Sequence, residues 1–90
     1  MSQAIVNPAD LRKFAKALDR FSNELQNQML MLKGQLNNLG QSWRDQEHEK
    51  FTQEFEHTLI ATNRFLEATR LHVPFLMRKA DRAEEYLRQR

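Results

Sequence analysis

Leucine recurs every seven residues through Leu11, Leu18, Leu25, Leu32 and Leu39, and a second apolar set, Phe14, Ala15, Phe21, Met29 and Leu36, runs beside it. This spacing predicts one long α-helix with an apolar face. The second set moves by one position between Phe21 and Met29. A straight helix drifts against a strict seven-residue repeat, so the shift predicts gentle packing over a long contact rather than a tight zipper. Asn7-Pro8-Ala9-Asp10 marks the start. Asn7 can cap, Pro8 fits a first turn where its missing N–H costs nothing, and Asp10 lies near the positive end of the dipole. Residues 1–6 read as a short frayed leader.

Asn37-Asn38-Leu39-Gly40 closes this helix, with Gly40 expected to take the left-handed terminal conformation. Gly34, inside the helix, suits either a close helix approach or a tolerated substitution. Ser42 or Asp45 can cap the next helix, and Asp45, Glu47 and Glu49 crowd its first turn. Its stripe alternates steps of three and four through Phe51, Phe55, Leu59, Thr62, Leu66, Thr69, Val73, Leu76, Ala80, Ala83 and Leu87, with Phe65 alongside. Pro74 removes the bond to the Arg70 carbonyl and predicts a bend. The expectation is a single all-α domain over residues 1–90: a helix over about 8–39, a turn over about 40–45, and a helix over about 46–88 bent near Pro74. If the antiparallel hairpin turns about residue 42, Pro8 lies level with about residue 76, and everything after Leu76 projects beyond its own partner helix.

Ninety residues in two helices cannot enclose a core, and with no cysteine the chain has neither disulfides nor thiolate metal sites to compensate. A second chain is therefore expected. Around Met29-Leu30-Met31-Leu32 the first helix is apolar nearly all round, so Leu30 and Met31 suggest a second contact face. The residues expected between chains are Leu18, Phe21, Leu25, Met29, Leu30, Met31, Leu59, Phe65 and Leu66.

Net charge is only +2, with nine basic and nine acidic side chains through residue 77 and five basic against three acidic in residues 78–90. That tail reads as a solvated mixed-charge face, so no nucleic acid is expected. No apolar run reaches the ~20 residues of a membrane span, so no stable membrane insertion is expected, and a basic segment followed by an apolar leader is missing. Asp45-x-x-His48 and Glu54-x-x-His57 have the carboxylate-x-x-His spacing of di-iron bundles. Glu54 and His57 flank the stripe, however, His48 and His57 face opposite sides, and helix one offers only Asp10, Asp19 and Glu24 off its inner stripe. No metal or cofactor is expected. His72 falls near the stripe and would make association pH-sensitive if it titrates there. Phosphate loops and catalytic triads are missing, so no catalytic residue is assigned.

The segments LRKFAKALDRFSNEL and LKGQLNNLGQSWRDQEHEKF resemble the WXG family, helical hairpins of about a hundred residues of the early-secreted-antigen type, exported by type VII (ESX) machinery. The likeness covers roughly residues 7–55 and is most specific in Leu39-Gly40, Trp43 at the turn and Phe51 eight residues on. It implies an antiparallel homodimer, or a heterodimer with a related WXG-type protein, forming a four-helix bundle. It also implies a turn motif of Gly40, Trp43, Asp45 and Phe51 that takes part in recognition, a secretion ATPase as a further partner, and leaderless secretion. In that arrangement the tail after Leu76 would reach the partner's Trp43. Two features depart from the family pattern. Asp45 stands where the family has glycine, and the only tyrosine, Tyr86, is followed four residues later by Arg90 instead of the acidic residue of a Tyr-x-x-x-Asp/Glu export signal. The other function class compatible with the same stripes is a coiled-coil adaptor that stays in the cytoplasm.

Overall fold

Two helices account for almost all of residues 6–89, which a computed structural model of the chain describes: α1, Pro8–Leu39, and α2, Gln46–Arg88. They pack as an antiparallel hairpin measuring 68 × 19 × 14 Å. The leader expected at residues 1–6 lies, but for Val6, outside the described residues. At the start of α1 the Asn7 side chain accepts hydrogen bonds from the amides of Ala9 (2.8 Å) and Asp10 (3.3 Å), with Pro8 in the first turn. Asp45, rather than Ser42, caps α2 by accepting from the His48 amide at 3.1 Å. Helix α2 runs unbroken through Pro74.

The seam between the helices is thin. Its buried apolar residues are Ala15, Leu66 and Ala80, joined by the hydroxyl pair Ser22 and Thr69. Ser22 Oγ lies 2.9 Å from Thr69 Oγ1 and 2.8 Å from the Leu18 carbonyl, while Thr69 donates to the Leu66 carbonyl at 2.8 Å. A satisfied polar pair in an apolar seam fixes register, because sliding one helix would bury each hydroxyl against hydrocarbon. Thr69→Val should therefore cost about 1 kcal/mol in urea unfolding, and adding Ser22→Ala should cost little more, since the second change removes a hydroxyl that has lost its partner across the seam and bonds only the Leu18 carbonyl of its own helix. Full additivity of the two would show that they act separately.

The hairpin turns later than residue 42. Gly40 is right-handed, at φ −61° and ψ −14°, and no described residue has positive φ. The Gly40 amide bonds the Leu36 carbonyl and the Trp43 amide bonds that of Leu39, so the coil runs on past the glycine. The Ser22–Thr69 contact places the midpoint between residues 45 and 46, which sets Pro8 level with about residue 83. The tail expected to project after Leu76 is instead packed: Ala80 is fully buried, and Arg12 reaches Asp81 at 2.7 Å and Glu84 at 3.0 Å. Hydrogen bonds to Asp81 and then Glu84 hold the Arg12 guanidinium above its ordinary pKa. That contribution is fully present below the ordinary arginine range and is lost only as pH rises through the raised value.

The leucine repeat divides along α1. At 100° per residue each step of seven slips about 20°, so the repeat rotates out of the seam. Leu11, Leu18 and Leu25 are half-buried, whereas Leu32 and Leu39 are 46% and 44% exposed. Met29 and Leu36 replace them in the seam, and Phe14 and Phe21 join Leu32 and Leu39 on one flank. The one-position shift in the second apolar set is this exchange.

Candidate interaction surface

Two flanks and a tip are left to meet other molecules. The first flank carries Phe14, Phe21, Leu32 and Leu39 of α1, with Phe65 of α2 edge-on to Phe21 at 6.2 Å between ring centroids. By helical periodicity Phe75 lies about 80° further round α2, toward its outer side. All six are exposed, Phe21 at 52% and Phe65 at 43%. The opposite flank carries the Arg12–Asp81–Glu84 cluster and a shallow groove lined by Met29, Leu30, Leu59, Ile60 and Leu66, with Gln26, Lys33, Glu56 and Asn63 at its rim.

The residues expected between chains separate accordingly. Leu66 is buried within the hairpin, and Leu18, Leu25, Met29 and Leu59 are half-buried there, so they chiefly hold the two helices of one chain together. Phe21 and Phe65 lie on the first flank. Leu30 and Met31 do not share a face: consecutive residues point about 100° apart, which sets Leu30 on the second flank and Met31 away from α2. Phe14, Leu32 and Leu39, expected in the inner apolar stripes of α1, lie on the outer flank instead. The signal that finds them is the drift of the leucine repeat, which turns two of its members outward.

At the tip, Trp43 is partly exposed and packs against His48, with centroids 5.1 Å apart and planes at 72°, and against Phe51 at 5.9 Å and 41°. Phe51 in turn stacks on Phe55 at 6.0 Å. The His48 ring also meets Gly40, where an added Cβ would lie 3.6 Å from Cε1 and 3.3 Å from the Asn37 carbonyl oxygen. His48 is thus a packed tip residue rather than an ordinary surface histidine. Its Nε2 and the Thr52 Oγ1 one turn on are buried without a hydrogen-bond partner. His57 and His72 are exposed, and among the described residues no three His, Cys, Asp or Glu side chains gather as a metal site. Asp45 has ordinary extended backbone, φ −88° and ψ −177°, so its position demands no glycine. Arg44 Nε donates to the Gly40 carbonyl at 3.3 Å, placing a cation at the negative end of α1.

Because Gly40 is right-handed, Gly40→Ala should change unfolding free energy by no more than about 0.5 kcal/mol: the gain in chain stiffness offsets the tight contact at Asn37. A loss above about 1 kcal/mol in thermal or urea unfolding would instead mark a left-handed glycine. Gly34 has nothing within 4 Å of an added Cβ, so no close helix approach inside the hairpin requires it.

A family profile described as "Proteins of 100 residues with WXG" matches residues 3–73. Among solved structures, a crystal structure of the secreted protein EsxB from Bacillus anthracis strain Sterne is 26% identical, with a TM-score of 0.77, covering 91% of this chain and 88% of that one. A second crystal structure, of selenomethionine-labelled EsxB, has the same TM-score at 24% identity and covers 96% of this chain and 98% of that one. No curated protein sequence matches the chain. No helix among the described residues is long and apolar enough to cross a membrane.

Proposed function

The chain belongs to the WXG100 family, and from that premise we propose that it is a non-enzymatic interaction protein of type VII secretion, working as an antiparallel dimer that is itself a substrate or escorts one. The observation that carries the reading is the uncovered first flank. A compact monomer of 10.8 kDa would expose roughly 5,500 Å², whereas this chain exposes 7438 Å². The elongated hairpin thus leaves about 1,900 Å² more surface uncovered than a compact fold of its size would. Two hairpins joined through Phe14, Phe21, Leu32, Leu39 and Phe65 make a four-helix bundle with its turns at opposite ends. The partner is a second copy or a related WXG-type chain.

The described fold of the secreted protein EsxB supports secretion as the destination. Tyr86 lacks an acidic residue four positions on, so the export signal comes from a partner, and Trp43 with Phe51 forms part of what the secretion ATPase reads. The decisive test expresses the tagged chain in a type VII-competent host with and without its membrane ATPase. Accumulation in the medium only when the ATPase is present is the expected result. Retention in cells that still export other substrates of the same machinery would overturn the secretion reading.

A further inference from the structure

The hairpin is electrically polar along its length. Residues 33–58, which form the tip third, hold three basic side chains (Lys33, Arg44, Lys50) and five acidic ones (Asp45, Glu47, Glu49, Glu54, Glu56). The open end, residues 8–16 and 76–89, holds seven basic and four acidic side chains, and two of those four, Asp81 and Glu84, are engaged by Arg12. Residues 17–32 and 59–75 balance at three of each. Antiparallel pairing therefore sets a negative tip against a positive open end twice per dimer, whereas parallel pairing would oppose like charges.

One groove concentrates this asymmetry. It is lined by Trp43, Glu47, Lys50, Phe51 and Glu54, two aromatic faces and two carboxylates against one ammonium. Helical periodicity sets Glu47, Lys50 and Glu54 on the flank that carries Phe21 and Phe65. The groove thus continues the apolar interface instead of standing apart from it. An aromatic face between carboxylates is a receptor for a cationic side chain.

Phe14, Phe21, Leu32, Leu39 and Phe65 of the first flank centre near the level of Phe65. A two-fold axis at that level sets Phe51 opposite about residue 79 of the other copy. Lys79 lies on the same flank of α2, and Arg82 follows one turn later at its edge. We propose that the groove at the hairpin tip binds a basic side chain of a second copy, Lys79 with Arg82 beside it, through Trp43, Phe51, Glu47 and Glu54. The inference rests on the antiparallel dimer proposed above and adds its register and the reason for its polarity. It also gives the basic tail a role in pairing: the end of one chain completes the tip of the other.

Charge exchange tests it. Dimer dissociation is measured by sedimentation for the wild type, for Glu47→Lys with Glu54→Lys, for Lys79→Glu, and for the three together, with helix content followed by circular dichroism. The tip variant and the tail variant should each weaken the dimer about three- to tenfold, since each change is felt at both symmetric grooves. The combined variant should return to within about twofold of wild type. Salt on the order of 1 M, which shortens the screening length to about 3 Å, should weaken the wild type and relieve the like-charge repulsion in each single-sided variant, so that the gap between them narrows. A dimer of wild-type strength in every variant overturns the groove while leaving the dimer itself standing. A monomer in every case, wild type included, overturns the pairing on which the groove depends.

Discussion

Phe21→Glu combined with Phe65→Glu should abolish self-association. The two rings meet edge to face, 6.2 Å apart between centroids, and remain about half exposed, so each offers about half its surface to a second chain. Near the two-fold axis both copies lose both rings, and four carboxylates then face one another. Taking about 1 kcal/mol for each half-exposed ring, the dissociation constant should rise at least a thousandfold. Leu30→Glu, on the other flank, should leave it within a few-fold of wild type. Sedimentation equilibrium distinguishes the two, and a dimer that survives the paired substitution but fails with Leu30→Glu would move the interface to the opposite flank. Helix content should fall together with association in the double variant, because a seam whose buried apolar side chains are Ala15, Leu66 and Ala80 leaves an isolated hairpin marginal.

Truncation after Leu76 is the second large effect, and it acts within the chain. The removed segment contains Ala80, fully buried, Ala83 and Leu87, half-buried, and both acceptors of Arg12. Helix α1 then has no cover over Leu11 and loses the neighbour that closes off Ala15. On area grounds the loss is on the order of 2–4 kcal/mol. Hydrogen exchange should localise it, with amides of the first two turns of α1 becoming fast while those around Ser22 stay protected. A projecting tail would predict the opposite, a truncated chain that unfolds like the wild type and differs only in assembly. Protection unchanged over the first turns of α1 would refute the register derived from Ser22 and Thr69.

The existence and type of both helices were legible in the apolar spacing, because period and composition leave a long alternation of threes and fours one stable outcome. Asn7 and Pro8 marked the start of α1, and the Asp45 cap was one of two that the residues allowed. The Trp43–Phe51 pairing was anticipated only as a shared motif at the turn, while the lodging of His48 between Trp43 and Gly40 was not foreseen. A histidine at the edge of a stripe has no sequence mark that separates it from one packed at a hairpin tip; the choice depends on where α1 stops turning.

That single local choice also decided the register. Glycine is free to take either hand, so Gly40 could not announce that it stays right-handed. Staying right-handed lets the coil run on to Trp43, moves the midpoint of the hairpin by more than three residues, and draws the end of α2 back onto the start of α1. The helix periods and the caps were set by residue order alone, since they follow from local sterics and apolar spacing. The hand of the turn, the side on which Phe14, Phe21, Leu32 and Leu39 gather, and the partners of Arg12 were decided only in the folded hairpin. They depend on how far one helix rotates and slides along the other, and the seven-residue repeat constrains neither quantity once the helix drifts beneath it.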